Sequence, residues 1–464
     1  MYLKAILGSR CFAVFLTLAS AADMCSAQDG HSPRLDRKKF GEMVGLGVKF
    51  SQGQPLTELP MLLDLRVRWV RENLWWRDIE PEPGRIAPLP AYLKKQLDFY
   101  REHDIGFIAL LSLENDRAYP ATMDDPGRPY DPEHFARFAV SVARMLKAEG
   151  VRFVLELGNE PHNSSIRKVM GGEWNGKGPA PWVKHYVQMV SAAVTLVKAY
   201  DPAIRILSND DMWVVHYWFL EAGLPTALDG FAVHPYTQGI PEQAAVEQDT
   251  EWTKPFQVVD ADRSFGSAVR RLRERGLTRL GKVPSIWVTE WGWPVGDGSR
   301  GTVAEDELVA YLPRAYILAA AAGVEVLCWF SSQDSVDGPM GLTRNDLGRR
   351  KSYQAFRTLT AQLADSVFQR QVAGFRDKTL GLQAFLFASS SGSTLAVWSA
   401  DKKKRRMTLP TGALFSATDA IGVTFIPSTD NSTTTSVLID ATPIFVHGPW
   451  TDDTIAAAIR SAER

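Results

Sequence analysis

Short β-rich runs alternate with amphipathic helical segments over most of this 464-residue chain, and this alternation constrains the fold more than any other feature. Strands that are separated by helices form parallel sheets, and eight such units close into a (β/α)8 barrel. We therefore predict an α/β protein with a TIM barrel over residues 43–365. The eight predicted strands are 43–49, 67–72, 106–112, 152–158, 204–208, 229–234, 284–290 and 324–330.

The segments between the strands have the periodicity of helices with one buried face. In 131–149, Phe135, Phe138 and Val142 follow the i, i+3, i+7 spacing, and 182–200 repeats the pattern. An open doubly wound sheet is the competing topology. Its nucleotide-binding form has no support, because no GxGxxG turn follows the first strand.

After about residue 366 the pattern changes to short alternating strands separated by turn residues, as in LGLQAFLFAS and STLAVWSA. Helical periodicity is absent there, apart from a short tail at 454–462. This pattern predicts a C-terminal β-sandwich domain that packs against the barrel.

The first 27 residues have the pattern of an export signal. Lys4 and Arg10 supply positive charge, 11–22 is largely apolar, and small residues offer cleavage sites after Ala27 or near Ala21. We therefore expect an exported protein that is periplasmic or secreted. The predicted domains are a signal peptide at 1–27, a polar linker at 28–42, the barrel at 43–365 and the β-sandwich at 366–464.

Composition excludes several classes of partner. The 52 basic and 53 acidic residues are nearly balanced, so no global field attracts nucleic acid. No run after the signal reaches the roughly 18 apolar residues of a membrane span, so we expect no integral membrane segment in the mature chain. Cys328 would be the one cysteine left after signal cleavage, which leaves no internal disulfide. We expect a monomer.

Two glutamates end predicted strands that lie 130 positions apart. Glu160 lies in VLELGNEPH at the end of the fourth strand, and Glu290 lies in SIWVTEWGWP at the end of the seventh. Catalytic groups of such barrels sit at the carboxyl ends of the strands. Two carboxylates across a sugar bond are the minimum equipment for glycoside hydrolysis.

The motif Asn159-Glu160-Pro161, followed by Glu290 after the seventh strand, resembles the signature of the clan A retaining glycoside hydrolases. The resemblance covers residues 43–365. It implies that Glu160 is the acid/base and that Glu290 is the nucleophile.

Further positions match residues that line the cleft in that clan. Arg71 matches an arginine beside the nucleophile, and Tyr236 matches a tyrosine that hydrogen-bonds the nucleophile. His234 matches a cleft histidine, and Trp329 matches the aromatic floor of the sugar subsite. The loop at 76–84 is similar to one in family 39. The barrel, together with the C-terminal β-sandwich and the export signal, resembles bacterial enzymes that cut biofilm-matrix exopolysaccharide.

The chemistry sets expectations for these groups. Glu160 must carry a proton at rest, so burial or a nearby carboxylate should raise its pKa, whereas Arg71 and Tyr236 should keep Glu290 ionised. Asn159 is placed to hydrogen-bond a sugar 2-hydroxyl. Indole faces bind sugar rings, and the two further candidates for this role are Trp293 and Trp213.

Other residues are harder to rank by spacing. Glu156, inside the fourth strand, should be a buried and paired carboxylate. Metal catalysis and serine hydrolysis are disfavoured, because the sequence has no HExxH, HxH or GxSxG motif, and we expect no metal or cofactor. The further candidate sugar contacts near strand ends are Glu80, Glu114, Asn115, Asn209, Asp210 and Asp334.

The sequence thus predicts a retaining β-glycosidase that works by double displacement, endo-acting on an exopolysaccharide. An exo-acting enzyme like the β-xylosidases of family 39 is one alternative, and a non-catalytic carbohydrate-binding protein is another. The long segments 163–181 and 237–261 flank the cleft without deciding between a groove and a pocket. Sugar identity and linkage stay open.

Overall fold

The computed structural model describes residues 38–120, 129–163, 170–172, 179–243, 253–256, 263–299, 301–374, 381–410, 415–429 and 434–464. The predicted signal peptide and most of the predicted linker lie outside these residues. Residues Lys38–Arg464 belong to one compact unit. Within the described ranges, no helix has both the length and the apolar character needed to cross a membrane.

Eight parallel strands of the described chain form a closed barrel in sequence order, which confirms the predicted TIM barrel. The first and last strands close it, with Val44 opposite Leu327. Each predicted strand overlaps an observed one. The strands are β1 Val44–Gly47, β2 Trp69–Leu74, β3 Gly106–Leu111, β4 Phe153–Leu157, β5 Arg205–Asp210, β6 Gly230–Val233, β7 Ser285–Trp291 and β8 Val326–Trp329.

Helices cover the outside of the barrel, and local sequence signals fix their ends. The Asp131 carboxylate caps one helix by accepting a hydrogen bond from the Glu133 N–H (2.9 Å), and Pro132 occupies its first turn. The α-helices are α1 Met61–Asp64, α2 Trp76–Ile79, α3 Ala91–Glu102, α4 Pro132–Ala148, α5 Pro181–Tyr200, α6 Trp213–Glu221, α7 Phe265–Leu280, α8 Glu305–Ala321, α9 Lys351–Leu363 and α10 Asp452–Glu463.

The barrel interior changes from apolar to polar along its axis. Inward side chains at the amino ends of the strands form an apolar plug, in which Trp69 and Trp287 meet edge to face at 5.0 Å. Two residues further along the same strands, the inward positions are Arg71 and Thr289, and both are buried. The plug therefore closes the bottom of the barrel, and the polar layer above it carries the site.

The C-terminal region forms two antiparallel sheets, which fits the predicted β-sandwich. The strands are β9 Val367–Ala373, β10 Leu382–Ser389, β11 Gly392–Ser399, β12 Arg405–Pro410, β13 Ser416–Thr418, β14 Thr424–Phe425, β15 Ser428–Thr429, β16 Thr434–Ile439 and β17 Ile444–Gly448. One sheet has six strands in the order β14-β13-β17-β11-β10-β9, and the other has three in the order β12-β16-β15. Helix α10 packs its apolar face into the core between them.

Candidate active site

A bulge at the end of β7 aims Glu290 into the barrel mouth. Val288 pairs with Leu327 and Trp291 pairs with Trp329, so three steps along β7 match two steps along β8. The extra residue lets two successive side chains, Thr289 and Glu290, face the interior. Without it, strict alternation would turn one of them outward.

Two residues of the chain after β4 have positive φ, and one of them is the predicted acid/base itself. Gly158 has φ 84°, and Glu160 has φ 44°, a value that is uncommon for a residue with a side chain. The Asn209 side chain holds this conformation, since its Oδ1 accepts a hydrogen bond from the Glu160 N–H at 2.7 Å. Buried Asn209 therefore positions the backbone of the predicted acid/base.

Arg71 links the predicted nucleophile to a buried carboxylate beneath it. Its guanidinium donates to both oxygens of Glu156 (2.7 and 2.9 Å), and it donates to Oε1 of Glu290. Burial disfavours the Glu156 charge, but the charge and hydrogen bonds of Arg71 together with the nearby His234 outweigh that effect and lower the pKa of Glu156 to about 2. Glu156 is thus the buried, paired carboxylate expected from the sequence.

The remaining contacts of Arg71 and Glu290 involve two more predicted residues. Arg71 Nη2 donates to Oδ1 of Asn159 at 2.8 Å, and the Tyr236 hydroxyl donates to Oε2 of Glu290 at 2.8 Å. Arginine has no acceptor, so the Asn159 oxygen must face it and the amide N–H groups stay available for a ligand. Each oxygen of Glu290 therefore has its own donor.

His234 is fully buried and bridges the two predicted catalytic glutamates. Its Nδ1 lies 2.8 Å from Oε1 of Glu160 and 3.8 Å from Oε2 of Glu290. On the other side of the ring, Nε2 lies 3.0 Å from the Thr289 hydroxyl and 3.0 Å from Nδ2 of Asn209. These contacts fix the plane of the imidazole between the two carboxylates.

The two glutamates share one open cavity. A carboxylate oxygen of Glu160 lies within 4.8 Å of one of Glu290. The cavity has a volume of about 730 Å³, which is typical of a small-molecule site. Its lining comes from the ends of β1 to β4 and β8, together with Tyr236 and Glu290, and it includes Lys49, Arg71, Asn73, Trp75, Glu114, Asn159, Asn163, Phe330, Val336 and Asp337.

The expectation that burial or a nearby carboxylate raises the pKa of Glu160 is wrong. Burial favours the neutral acid, but the hydrogen bond and positive charge of His234 outweigh that effect and lower the pKa of Glu160 to about 2. Burial likewise opposes a charge on His234, yet the Glu290 charge, the Glu156 carboxylate 3.8 Å from Nε2 and the hydrogen bond to Glu160 raise its pKa to about 10. The proton shared by Glu160 and His234 therefore resides on His234.

The predicted tryptophan platforms lie elsewhere. Trp329 and Trp293 are each 1% exposed and pack against one another, with ring centroids 5.9 Å apart, behind the barrel wall. Trp213 is buried too. Successive side chains of a strand point to opposite faces, so Trp329 at the end of β8 points away from the cavity and its neighbour Phe330 faces it.

Two aromatic residues that the sequence analysis did not single out line the cavity. Trp75, just past the end of β2, is half-buried, and Phe330 lies beyond β8. Lys49 lies 4.1 Å above the Phe330 ring and pairs with Asp337 at 2.8 Å. The sequence did not single out Trp75 because Trp76 is next to it. Only the structure shows that Trp75, rather than Trp76, faces the cavity.

The structure separates the six further polar candidates. Glu114 alone among them lines the cavity. Glu80 and Asn115 are buried in a local hydrogen-bond network under the loop after β2. The other three are Asn209, which supports Glu160, Asp210, which is buried beside His162, and Asp334, which pairs with Arg350.

Two groups of side chains in the described residues have the spacing of metal ligands. The first is Glu160, His234 and Glu290, and its donor atoms already contact one another, Arg71 and Tyr236. The second is His162 with two aspartates, whose carboxylate oxygens lie 3.1 Å from its Nδ1. Burial opposes the His162 charge, but the two aspartates raise its pKa to about 9. The contacts in both groups are those of ion pairs and hydrogen bonds.

Comparison with known proteins identifies structural relatives. No protein-family model matches the sequence, and no curated protein does. A solved structure described as a family 39 glycoside hydrolase from Bacteroides cellulosilyticus WH2 matches with a TM-score of 0.70 and 20% identity, over 88% of this chain and 81% of that one.

Two further structures match with lower scores. A monomeric β-xylosidase from Caulobacter crescentus CB15 has a TM-score of 0.55 and 13% identity, over 89% of this chain and 97% of that one. A family 30 endoxylanase from Clostridium papyrosolvens C71 has a TM-score of 0.53 and 7% identity, over 89% and 97%. At such identities the likeness establishes a shared fold. The fold that this chain shares with a family 39 glycoside hydrolase agrees with the fold implied by the resemblance in the sequence.

Proposed function

We propose that this protein is a retaining β-glycoside hydrolase with Glu290 as the nucleophile and Glu160 as the acid/base. One observation carries the proposal: the two carboxylates approach within 4.8 Å inside one open cavity. Retaining enzymes separate these groups by about 5 to 5.5 Å, whereas inverting enzymes need room for a water molecule between them. Direct attack by Glu290 therefore fits the spacing.

The reaction proceeds in two displacements. An oxygen of Glu290 bonds to the anomeric carbon while the bond to the leaving oxygen breaks, and Glu160 gives that oxygen a proton. Water then attacks the anomeric carbon, releases Glu290 and gives its proton to Glu160. Arg71 and Tyr236 hold the Glu290 oxygens, so attack requires little rearrangement of the nucleophile.

The proton for the first step comes from the pair formed by Glu160 and His234. Their 2.8 Å contact is a hydrogen bond along which a proton can move. A sugar ring that fills the cavity removes water from Glu160, and that desolvation raises its pKa. The total charge of the site is unchanged, because only the location of the proton differs.

The substrate that we propose is an exopolysaccharide cleaved internally by an exported, periplasmic or secreted enzyme. The cavity lining supports internal cleavage, since it runs from Trp75 and Glu114 beyond β2 and β3 to Val336 and Asp337 beyond β8. An exo-acting β-glycosidase is the second candidate, because one structural relative is a β-xylosidase. Product sizes from a long oligosaccharide separate the two, since mid-sized fragments mark internal cleavage and monomers from the start mark exo action.

The test of the catalytic assignment uses variants of Glu290. Glu290→Gln should lower turnover of an aryl β-glycoside by at least about 10³-fold without loss of folding. Azide should restore activity to Glu290→Ala and give a product of inverted configuration. Glu114→Gln is the matched control: it removes another carboxylate of the same cavity and can raise KM, but it should lower kcat far less than Glu290→Gln does. An active Glu290→Gln enzyme would end the assignment.

A further inference from the structure

The loop that follows β6 joins the active site to a buried carboxylate. The loop carries Tyr236, whose hydroxyl holds the nucleophile, and six residues later it reaches Glu242, which is 2% exposed. A buried carboxylate must find partners, because loss of hydration is costly for an ion. The partners of Glu242 come from two different parts of the chain.

Glu242 receives hydrogen bonds from a barrel helix and from the C-terminal sheet. In α8, Arg314 donates from Nε to Oε1 at 2.8 Å and from Nη2 to Oε2. In β11, Trp398 donates from Nε1 to Oε1 at 2.7 Å. Arg314 and Trp398 are both fully buried. The C-terminal sheet thus supplies one of the three N–H groups that fix this carboxylate.

The backbone between Tyr236 and Glu242 is held at further points. The Trp293 indole donates to the carbonyl of Gly239 at 3.0 Å, and the Phe265 N–H donates to the carbonyl of Glu242 at 3.2 Å. Trp293 follows Glu290 by three residues. A shift of Glu242 would therefore reach the nucleophile both through Tyr236 and through Trp293.

We propose that Trp398 is a positioning residue for the active site, which acts through Glu242 and the loop after β6. This inference rests on the proposed function. Trp398 does not line the catalytic cavity, so its effect must travel through the hydrogen bond to Glu242. The C-terminal domain thereby contributes to the catalytic rate of the barrel without contact to the substrate.

The test removes one N–H group and keeps the ring. In Trp398→Phe the aromatic stack on Phe385 can persist, since the present rings lie 5.1 Å apart at 14°. Trp450→Phe is the matched control, because that indole lies in the same domain and donates to the carbonyl of Val446 at 2.9 Å. Trp398→Met is a second variant, which also removes the N–H group donated to Glu242 and keeps a large apolar side chain.

We expect Trp398→Phe to lower kcat by about tenfold with little change in KM, since small displacements of catalytic groups are costly. The rate at which a mechanism-based inhibitor labels Glu290 should fall in parallel. Trp450→Phe should leave kcat and labelling within about twofold of the wild-type values. Comparable melting temperatures of the two variants would show that the difference does not come from stability alone.

Equal kcat values for folded Trp398→Phe and Trp450→Phe would overturn the inference. If Trp398→Phe fails to fold, Trp398→Met takes its place in the same comparison, and an unchanged kcat there has the same meaning. A wild-type protein that neither cleaves a glycoside nor labels at Glu290 would instead sink the proposed function. The two failures are therefore distinguishable.

Discussion

Arg71 and His234, two residues of the polar layer, hold their positive charges in different ways. Arg71 stays ionised between two carboxylates, and its planar fork of N–H groups allows it to contact Glu156, Glu290 and Asn159 at once. His234 instead shares one proton with Glu160. A lysine has no such fork, so Arg71→Lys would leave some of these acceptors unpaired.

The proton on His234 predicts a pH-dependent stability. Its pKa in the folded protein is about 10, above the value of about 6.5 for an unfolded chain. The resulting stabilisation is complete below pH 6.5 and is lost as the pH rises toward 10. In urea unfolding, the wild-type protein should therefore lose more stability than His234→Asn between those pH values.

His216 provides the opposite case as a control. It is also fully buried, but burial lowers its pKa to about 4 despite the nearby Asp210 charge. A histidine that is buried in its neutral form costs stability as the pH falls from 6.5 to 4. In urea unfolding, His216→Asn should therefore lose less stability than the wild type as the pH falls from 6.5 to 4. If the free energy of unfolding changes with pH above 6.5 in the same way for the wild type and for His234→Asn, the assignment of the proton to His234 is wrong.

The position of each indole predicts different effects of two tryptophan variants. Trp75 is half-buried and faces the cavity, so Trp75→Ala should raise KM by about three- to tenfold with little loss of stability. Trp329 is core, so Trp329→Ala should lower the free energy of unfolding by about 3–5 kcal/mol. Kinetics and urea unfolding of both variants measure the contrast. A KM effect confined to Trp329→Ala would reverse the assignment.

The order of the strands and helices explains which parts of the site could be predicted from the sequence. Alternation of strands and helices indicates the barrel, and position after the fourth and seventh strands brings Glu160 and Glu290 together. The bulge in β7 and the outward side of Trp329 could not be predicted, because a shift of one residue exchanges the faces of a strand. The proton on His234 depends on several groups from different strands, so no local pattern reports it.

The turn after β4 predicts an effect of Gly158 on catalysis. Its φ is 84°, and an added Cβ would lie 2.5 Å from Cδ1 of Leu113, which lines the cavity. Gly158→Ala should therefore cost about 2–4 kcal/mol of stability and lower kcat by about tenfold, since Glu160 follows two residues later. Thermal unfolding and steady-state kinetics measure both effects.

Gly223 separates backbone strain from crowding. It follows α6 with φ 92°, and an added Cβ would meet no atom within 4 Å. Gly223→Ala should lose only the backbone term of about 1–2 kcal/mol and keep its kcat. If both variants lose the same stability and neither loses activity, the turn has no special role in placing Glu160.

The largest apolar core of the described residues includes part of the C-terminal domain. Phe385, Phe387, Trp398 and Phe445 of the six-stranded sheet belong to the same buried cluster as the barrel helices. Phe40, just before β1, meets Phe387 edge to face at 5.8 Å. Such a shared core joins the two domains more closely than a polar interface would.

This shared core predicts that barrel and C-terminal sheet unfold together. Calorimetry should show one transition whose calorimetric enthalpy equals the van't Hoff enthalpy. Phe387→Ala should lower the free energy of unfolding by about 3–5 kcal/mol. Because it removes part of the contact between the domains, it should also split the single transition into two. Ile459→Ala lies in the separate core of the sandwich, which does not reach the barrel. It should therefore lower the free energy of unfolding and keep a single transition. Two transitions in the wild-type protein would show that the interface is too weak to couple the domains.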